Sequence, residues 1–301
     1  MKREEFEPKN VGKRLWFCIK YPLLSIVAAI LITSTINGTV EGIKNHFQIQ
    51  ELKAEKEEAE KLETVGKPKD QKEDQKEDQM EEQKEEQKGN KTSKEETMVS
   101  KIILPEYQSL WEKNKDMIGW LTIPETGVDY PVMYRLEDDN YYLSHGFNKT
   151  EDKNGLLVLD KRCDITQSGG QHIIYGHNMR SGAMFGNLLN YKEKAYYEYN
   201  PIIEFDSIYE KGSYEIISVF VSKIFYQDEE GFRFYDYTKF TSEEEFRDYY
   251  DTIKKRSLYK INAEASYHDT LLCLVTCEYT DENGRLVIVA KKVEQSTESV
   301  E

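Results

Sequence analysis

Leu271-Leu-Cys-Leu-Val-Thr-Cys277 is an apolar run that breaks directly into the polar Glu278-Tyr-Thr-Asp-Glu-Asn-Gly284. Arg285-Leu-Val-Ile-Val-Ala290 then turns apolar again. Two short β-type runs joined by a turn-rich loop read as a hairpin. Alternation along the first strand puts Cys273, Val275 and Cys277 on one face. The hairpin also brings Cys277 and Arg285, eight residues apart, to the same end of a sheet.

The same texture extends outward from this hairpin. Strands are expected at Gly119–Ile123, Tyr130–Tyr134, Leu156–Leu159, His172–Tyr175, Ile202–Phe205 and Tyr214–Ile224, with Thr270–Thr276 and Leu286–Val293 forming the hairpin itself. Eight short strands separated by turn residues predict a mostly β fold, a closed or nearly closed barrel. A helix is expected from Tyr107 to Met117, with Leu110, Trp111 and Met117 on its apolar side. A second, at 241–256, opens on Thr241-Ser-Glu-Glu-Glu and carries Phe246, Tyr249, Tyr250 and Ile253 as its stripe. It ends on Lys254-Lys255-Arg256, where positive charge suits a helix C-terminus.

The rest of the chain has a different composition. Residues 51–98 hold eleven lysines, seventeen acids and no aromatic residue, with Gln71, Gln75, Gln79, Gln83 and Gln87 marking a four-residue repeat. No apolar seam accompanies the repeat, which argues against a coiled coil and for a solvated, partly helical spacer. Its reach is about 40 Å as a coil and about 70 Å as a helix. Tyr21 to Val40 contains no charged residue and follows Lys2, Arg3, Lys9, Lys13, Arg14 and Lys20. Twenty residues at 1.5 Å each span roughly 30 Å, the thickness of a bilayer core. The basic flank predicts a cytoplasmic N-terminus and an external domain. No small-residue cleavage site follows the apolar run, so an uncleaved anchor is expected rather than a signal peptide. The expected organisation is a basic N-terminus over 1–20, an anchor over 21–40, a spacer over 41–100, the folded domain over 101–295 and a polar tail over 296–301.

A formal net charge of −15 argues against a nucleic-acid partner, whose phosphates need a basic face. The four cysteines are Cys18, Cys163, Cys273 and Cys277. Neither framework nor zinc-ligand spacing is present, so free thiols are expected. On the residues alone, Cys277 is either a small core hydrophobe, as Cys273 is taken to be, or a nucleophile at a strand end beside a guanidinium. An arginine there would lower a thiol pKa and bind a developing oxyanion. A cysteine nucleophile also needs a proton carrier. His177, in Ile174-Tyr-Gly-His-Asn-Met179, is the candidate that follows a strand and a glycine. His145, His172 and His268 are the other histidines of the domain.

Tyr175-Gly-His177-Asn-Met, Thr276-Cys277 and Arg285, in that order, resemble the active-site signatures of sortases, and most closely class B. The resemblance runs from about Tyr107 to Val293. It includes Ile118-Gly-Trp-Leu-Thr-Ile-Pro124, Val128-Asp-Tyr-Pro-Val132, Ser181-Gly-Ala-Met-Phe-Gly186 and the helix at 241–256. It implies an eight-stranded sortase-type β-barrel with an N-terminal helix and a helix in the loop before the penultimate strand. The implied activity is that of a cysteine transpeptidase without metal or organic cofactor. Cys277 would be the nucleophile, His177 the acid/base and Arg285 the oxyanion stabiliser. The implied partners are surface proteins with a C-terminal sorting signal, cleaved after Thr, and a cell-wall amine of a peptidoglycan precursor. The implied location is a Gram-positive-type envelope.

Thr276 and Glu278 resemble residues that line the class B groove, and are otherwise strand and turn structure. Leu143, in Asn140-Tyr-Tyr-Leu-Ser, is the candidate contact for the apolar part of the signal; Phe234 and Tyr235 are candidate groove walls. Where relatives read Thr-Leu-Ser-Thr-Cys, this chain reads Cys273-Leu-Val-Thr-Cys277, so Val275 replaces a hydroxyl near the bound signal. The spacer is longer than the class leads one to expect. Two rival readings share the same residues: a cysteine hydrolase without transfer, and a non-catalytic surface module with Cys277 buried.

Overall fold

The computed structural model describes residues 42–62 and 102–293. Eight strands close into one barrel: β1 (Met117–Ile123), β2 (Val128–Met133), β3 (Leu157–Leu159), β4 (Gln171–Tyr175), β5 (Ile202–Ser207), β6 (Ser213–Lys223), β7 (Leu271–Cys277) and β8 (Gly284–Val293). Around the barrel the order is β1-β2-β3-β4-β7-β8-β6-β5, with β5 pairing back to β1. Two of the eight contacts, β2 with β3 and β4 with β7, are parallel. The parallel β4–β7 pair requires a long crossover, and that crossover contains β5, β6 and the helix before β7. Closure leaves no free sheet edge. All eight expected strands are present, each within a few residues of its expected bounds.

Among the described residues, four α-helices accompany the barrel. The helix α1, over 42–62, lies in the stretch expected to begin the spacer. It is laid against the barrel, with Ile49 and Leu52 at 3% and 5% exposure. Lys53 pairs with Asp129 of β2 at 2.9 Å, and Glu55 with Lys113 of α2 (Pro105–Lys113). α2 begins on a proline, which suits the first helical turn, and buries Tyr107 and Leu110. It stops before the expected Met117, because Asn114 turns extended and is buried. The Asn114 amide donates to the Tyr142 hydroxyl and the Phe147 carbonyl, and Met117 opens β1 instead. α3 (Lys194–Tyr199) and the 3₁₀ segment Gly186–Lys192 are too short to show a helical period in the sequence.

α4 (Glu243–Arg256) is the expected loop helix. Ser242 caps it by accepting from the Glu245 N–H, and the Glu245 carboxylate accepts in return from the Thr241 N–H and hydroxyl. Its buried side fixes it to β6, where the Ser218 hydroxyl donates to the Ile253 carbonyl at 2.7 Å. Among the described residues no helix is long and apolar enough to cross a membrane. The expected anchor at 21–40, most of the spacer and the tail lie outside those residues.

Candidate active site

The strand register determines what is collected at one end of the barrel. In the parallel β4–β7 pair Tyr175 stands opposite Val275, so both strands finish on the same side. Two residues further on lie His177 and Cys277. In the antiparallel β7–β8 pair Cys277 stands directly opposite Arg285, so β8 begins where β7 ends. A thiol, an imidazole and a guanidinium therefore come from three adjacent strands. All three line one cavity of about 410 Å³, together with Leu143, Thr276 and Val275.

Local bonds hold each of them. The Thr276 hydroxyl donates to the Gly176 carbonyl at 2.8 Å, pinning the end of β4 to the end of β7 beside His177. Gly176 has room for nothing larger: a Cβ would come within 2.6 Å of the Leu157 side chain and 2.7 Å of the Phe185 ring. The Asn178 amide donates to the Cys277 carbonyl at 2.8 Å, clamping the end of β7 from the loop that carries His177. His177 Nε2 lies 2.8 Å from the Leu143 carbonyl oxygen. Arg285 spends one donor on the Gly284 carbonyl.

The three cysteines of the domain are free and differ in environment. Burial pushes the Cys163 thiol up to about 12, and it pushes fully buried Cys273 well above the ordinary thiol value. Cys277 is half-buried and opens on the cavity. Cys273 behaves as the core residue it was expected to be.

The remaining expected contacts divide. Leu143 and Thr276 line the cavity. Glu278 does not: it is buried, and its carboxylate accepts from the Thr280 N–H and hydroxyl and pairs with Lys192 at 2.9 Å. Those bonds, the Thr280 hydroxyl foremost, hold its carboxyl below the usual carboxylate range. Phe234 is fully buried, edge-on to Phe220 and Tyr235, and does not face the cavity. Tyr235 is absent from the lining as well; its hydroxyl accepts from the Phe225 N–H.

Residues outside the expected set complete the lining, among them Asp139, Asn140, Asp160, Tyr175 and Ile224. Asp160 takes a fork from Arg162, at 2.9 and 2.7 Å, and the Tyr175 hydroxyl at 3.2 Å. Burial alone would raise its carboxyl, but the Arg162 bonds outweigh burial and hold it below the usual range. The Asp-x-Arg spacing at a strand end was the one sequence signal for this pair. Among the described residues no group of three or more His, Cys, Asp or Glu could hold a metal ion.

A closed mixed barrel with a thiol, an imidazole and a guanidinium in one cavity at the strand ends defines a cysteine transpeptidase of the sortase type. The Sortase domain family model matches residues 121–293, and the chain belongs to the sortase family. It is 34% identical to sortase B of Listeria monocytogenes over 199 residues, covering 65% of this chain and 78% of that protein. It is 29% identical to sortase B of Staphylococcus aureus over 196 residues, covering 64% and 77%. The crystal structure of the S. aureus sortase B superposes with a TM-score of 0.58 at 28% identity, over 64% of this chain and 89% of that one. A sortase B from B. anthracis superposes with a TM-score of 0.57 at 26% identity, over 64% and 86%. The relatives are class B sortases, and this protein is an enzyme of that type.

Proposed function

We infer that this enzyme cleaves a C-terminal sorting signal after a threonine and joins the new carboxyl end to an amine of a peptidoglycan precursor. The observation that carries the reading is the shared cavity of Cys277, His177 and Arg285 at the ends of β7, β4 and β8. The Cys277 thiolate attacks the threonine carbonyl carbon, and the new C–S bond forces negative charge onto the carbonyl oxygen. Arg285 donates to that oxyanion. As the C–N bond breaks, His177 protonates the departing amine, leaving a thioester on Cys277. In the second half His177 takes a proton from the incoming amine. Attack on the thioester then forms the amide and releases the thiolate, so protons balance over the cycle. A sortase B was crystallised in complex with triglycine, which supports an amine-bearing second substrate.

Leu143 and Val275 give the cavity apolar surface for the signal, and the valine disfavours relatives' contacts that need a hydroxyl there. Residues 21–40 hold the chain in the membrane with the domain outside, and 63–100 set its distance from the bilayer.

The test is a panel of quenched fluorogenic peptides ending in Asn-Pro-x-Thr-Asn, Ser-Pro-x-Thr-Gly and Leu-Pro-x-Thr-Gly, each with an amine acceptor. The expected result is cleavage after Thr, an amide product by mass spectrometry, and loss of both in Cys277→Ala. Cleavage that yields only free acid, however much acceptor is added, would make the enzyme a hydrolase instead.

A further inference from the structure

The acid/base histidine is held by a peptide carbonyl. His177 Nε2 is 2.8 Å from the Leu143 oxygen, and a carbonyl oxygen only accepts. The contact is a hydrogen bond only if Nε2 carries the proton, which leaves Nδ1 as the nitrogen free to exchange protons with substrate. The carbonyl is well fixed. On either side of it the Leu156 N–H donates to the Tyr142 carbonyl at 2.7 Å, and the Asp152 N–H donates to the Ser144 carbonyl at 2.9 Å. Leu143's own carbonyl, between those two, is the one turned to the histidine. Tyr142 anchors the loop from below: its buried ring and its hydroxyl engage Asn114 and Asp116.

One position controls where this carbonyl sits. Gly155 has a φ of +58°, and a Cβ there would lie 2.6 Å from the Leu143 carbonyl carbon and the Tyr142 oxygen, and closer still to the Leu143 oxygen. Any side chain at 155 therefore pushes the acceptor off the imidazole.

The geometry points to the Leu143 carbonyl, seated by the bare Cα of Gly155, as the group that fixes the His177 tautomer for catalysis. It does for this imidazole what a carboxylate or amide does in other nucleophile–histidine sites. Leu143 itself lines the same cavity, so a signal peptide pressing on it bears on the histidine through one residue. Gly155 is accordingly a positioning residue. The inference rests on the reading of His177 as acid/base, and the two are separable by experiment.

The full chain, labelled with ¹⁵N at histidine and held in detergent micelles, gives the tautomer from its ring nitrogen shifts, with His177→Gln assigning the signals. The wild type is expected to show His177 protonated at Nε2 and bare at Nδ1 when neutral. Gly155→Ala is expected to lose that preference and to slow single-turnover acylation by at least roughly tenfold. Gly169→Ala is the control: its φ is +78°, but a Cβ there meets nothing within 4 Å. It imposes comparable backbone strain without moving a carbonyl, and should match wild type in both readouts. An Nδ1–H tautomer in the wild type, an unchanged Gly155→Ala, or equal damage from both alanines would each overturn the inference. Full acylation by His177→Gln would instead remove the acid/base reading beneath it.

Discussion

At the residue scale, a single strand carries two cysteines of opposite character. Cys273 and Cys277 share a face of β7, yet one is fully buried and the other reaches the cavity. A thiol held above its ordinary value is neutral near pH 7 and unreactive, because the thiolate is the nucleophile. Brief treatment with iodoacetamide at about pH 7.5 should therefore alkylate Cys277 and leave Cys163 and Cys273 untouched, as read by peptide mass spectrometry. Equal labelling of Cys163 would contradict its burial. Cys277 was legible because a strand end, a polar loop and an arginine coincide within nine residues. His177 was legible only in part: a glycine before it and a strand ahead of it mark a loop, but they do not show that β4 lies beside β7. That neighbourhood comes from a crossover of about a hundred residues, and no local pattern encodes it.

At the element scale, the same limit explains the groove wall. Gly231-Phe-Arg-Phe-Tyr-Asp-Tyr237 is aromatic at nearly every other position and beyond, so alternation gives no face to choose. In the fold Phe234 goes to the core and the segment is tied to the cavity by its neighbours. Gln171 of β4 donates to the Phe234 and Tyr237 carbonyls, while its oxygen accepts from the Tyr249 hydroxyl. Arg162 reaches the Tyr235 carbonyl at 2.7 Å while its fork holds Asp160. This strap joins the end of β3 to the turn ahead of α4. Arg162→Ala should lower stability at pH 7 by about 1–2 kcal/mol, since a charge-assisted bond to a largely buried carboxylate is lost from a partly exposed arginine. The pH dependence has a defined sign. Asp160 titrates lower folded than unfolded, so its contribution is present above the unfolded value, near 3.9, and disappears as pH falls through the folded one. Thermal melts of wild type and Arg162→Ala should differ at pH 7 and converge well below about pH 3. A gap that persisted undiminished at low pH would mean that packing of the arginine, and not its charge, holds the strap.

At the scale of the whole molecule, composition located the folded domain but not all of its parts. Helix α1 was hidden because its outward faces carry the same Lys and Glu as the spacer that follows. Its apolar residues mark no single stripe: Ile43, Phe47 and Leu62 are exposed, and of its large apolar side chains only Ile49 and Leu52 are buried. Their burial is nonetheless substantial, at about 1.5–3 kcal/mol for each side chain removed from water. Around them Lys53 meets Asp129, whose carboxyl also takes the Trp120 indole N–H at 2.6 Å. Lys56 lies over the Trp120 and Tyr107 rings at 5.3 and 5.6 Å, and Lys211 pairs with Glu60 of the helix and buried Glu106 of α2. The helix thus covers β1, β2 and α2 together. Its first turns also wall a cavity of about 1190 Å³ that reaches Asn178, the residue clamping the Cys277 carbonyl. A chain begun at residue 99 would expose this whole seam, whereas one begun at residue 42 retains it. At roughly 2–4 °C per kcal/mol for a domain of this size, the shorter chain should melt lower by on the order of 5–10 °C. Leu52→Ala in the longer chain should reproduce part of that loss of stability, because it creates a cavity at the centre of the seam. Equal melting temperatures for the two chains would mean that α1 rests on the barrel without stabilising it.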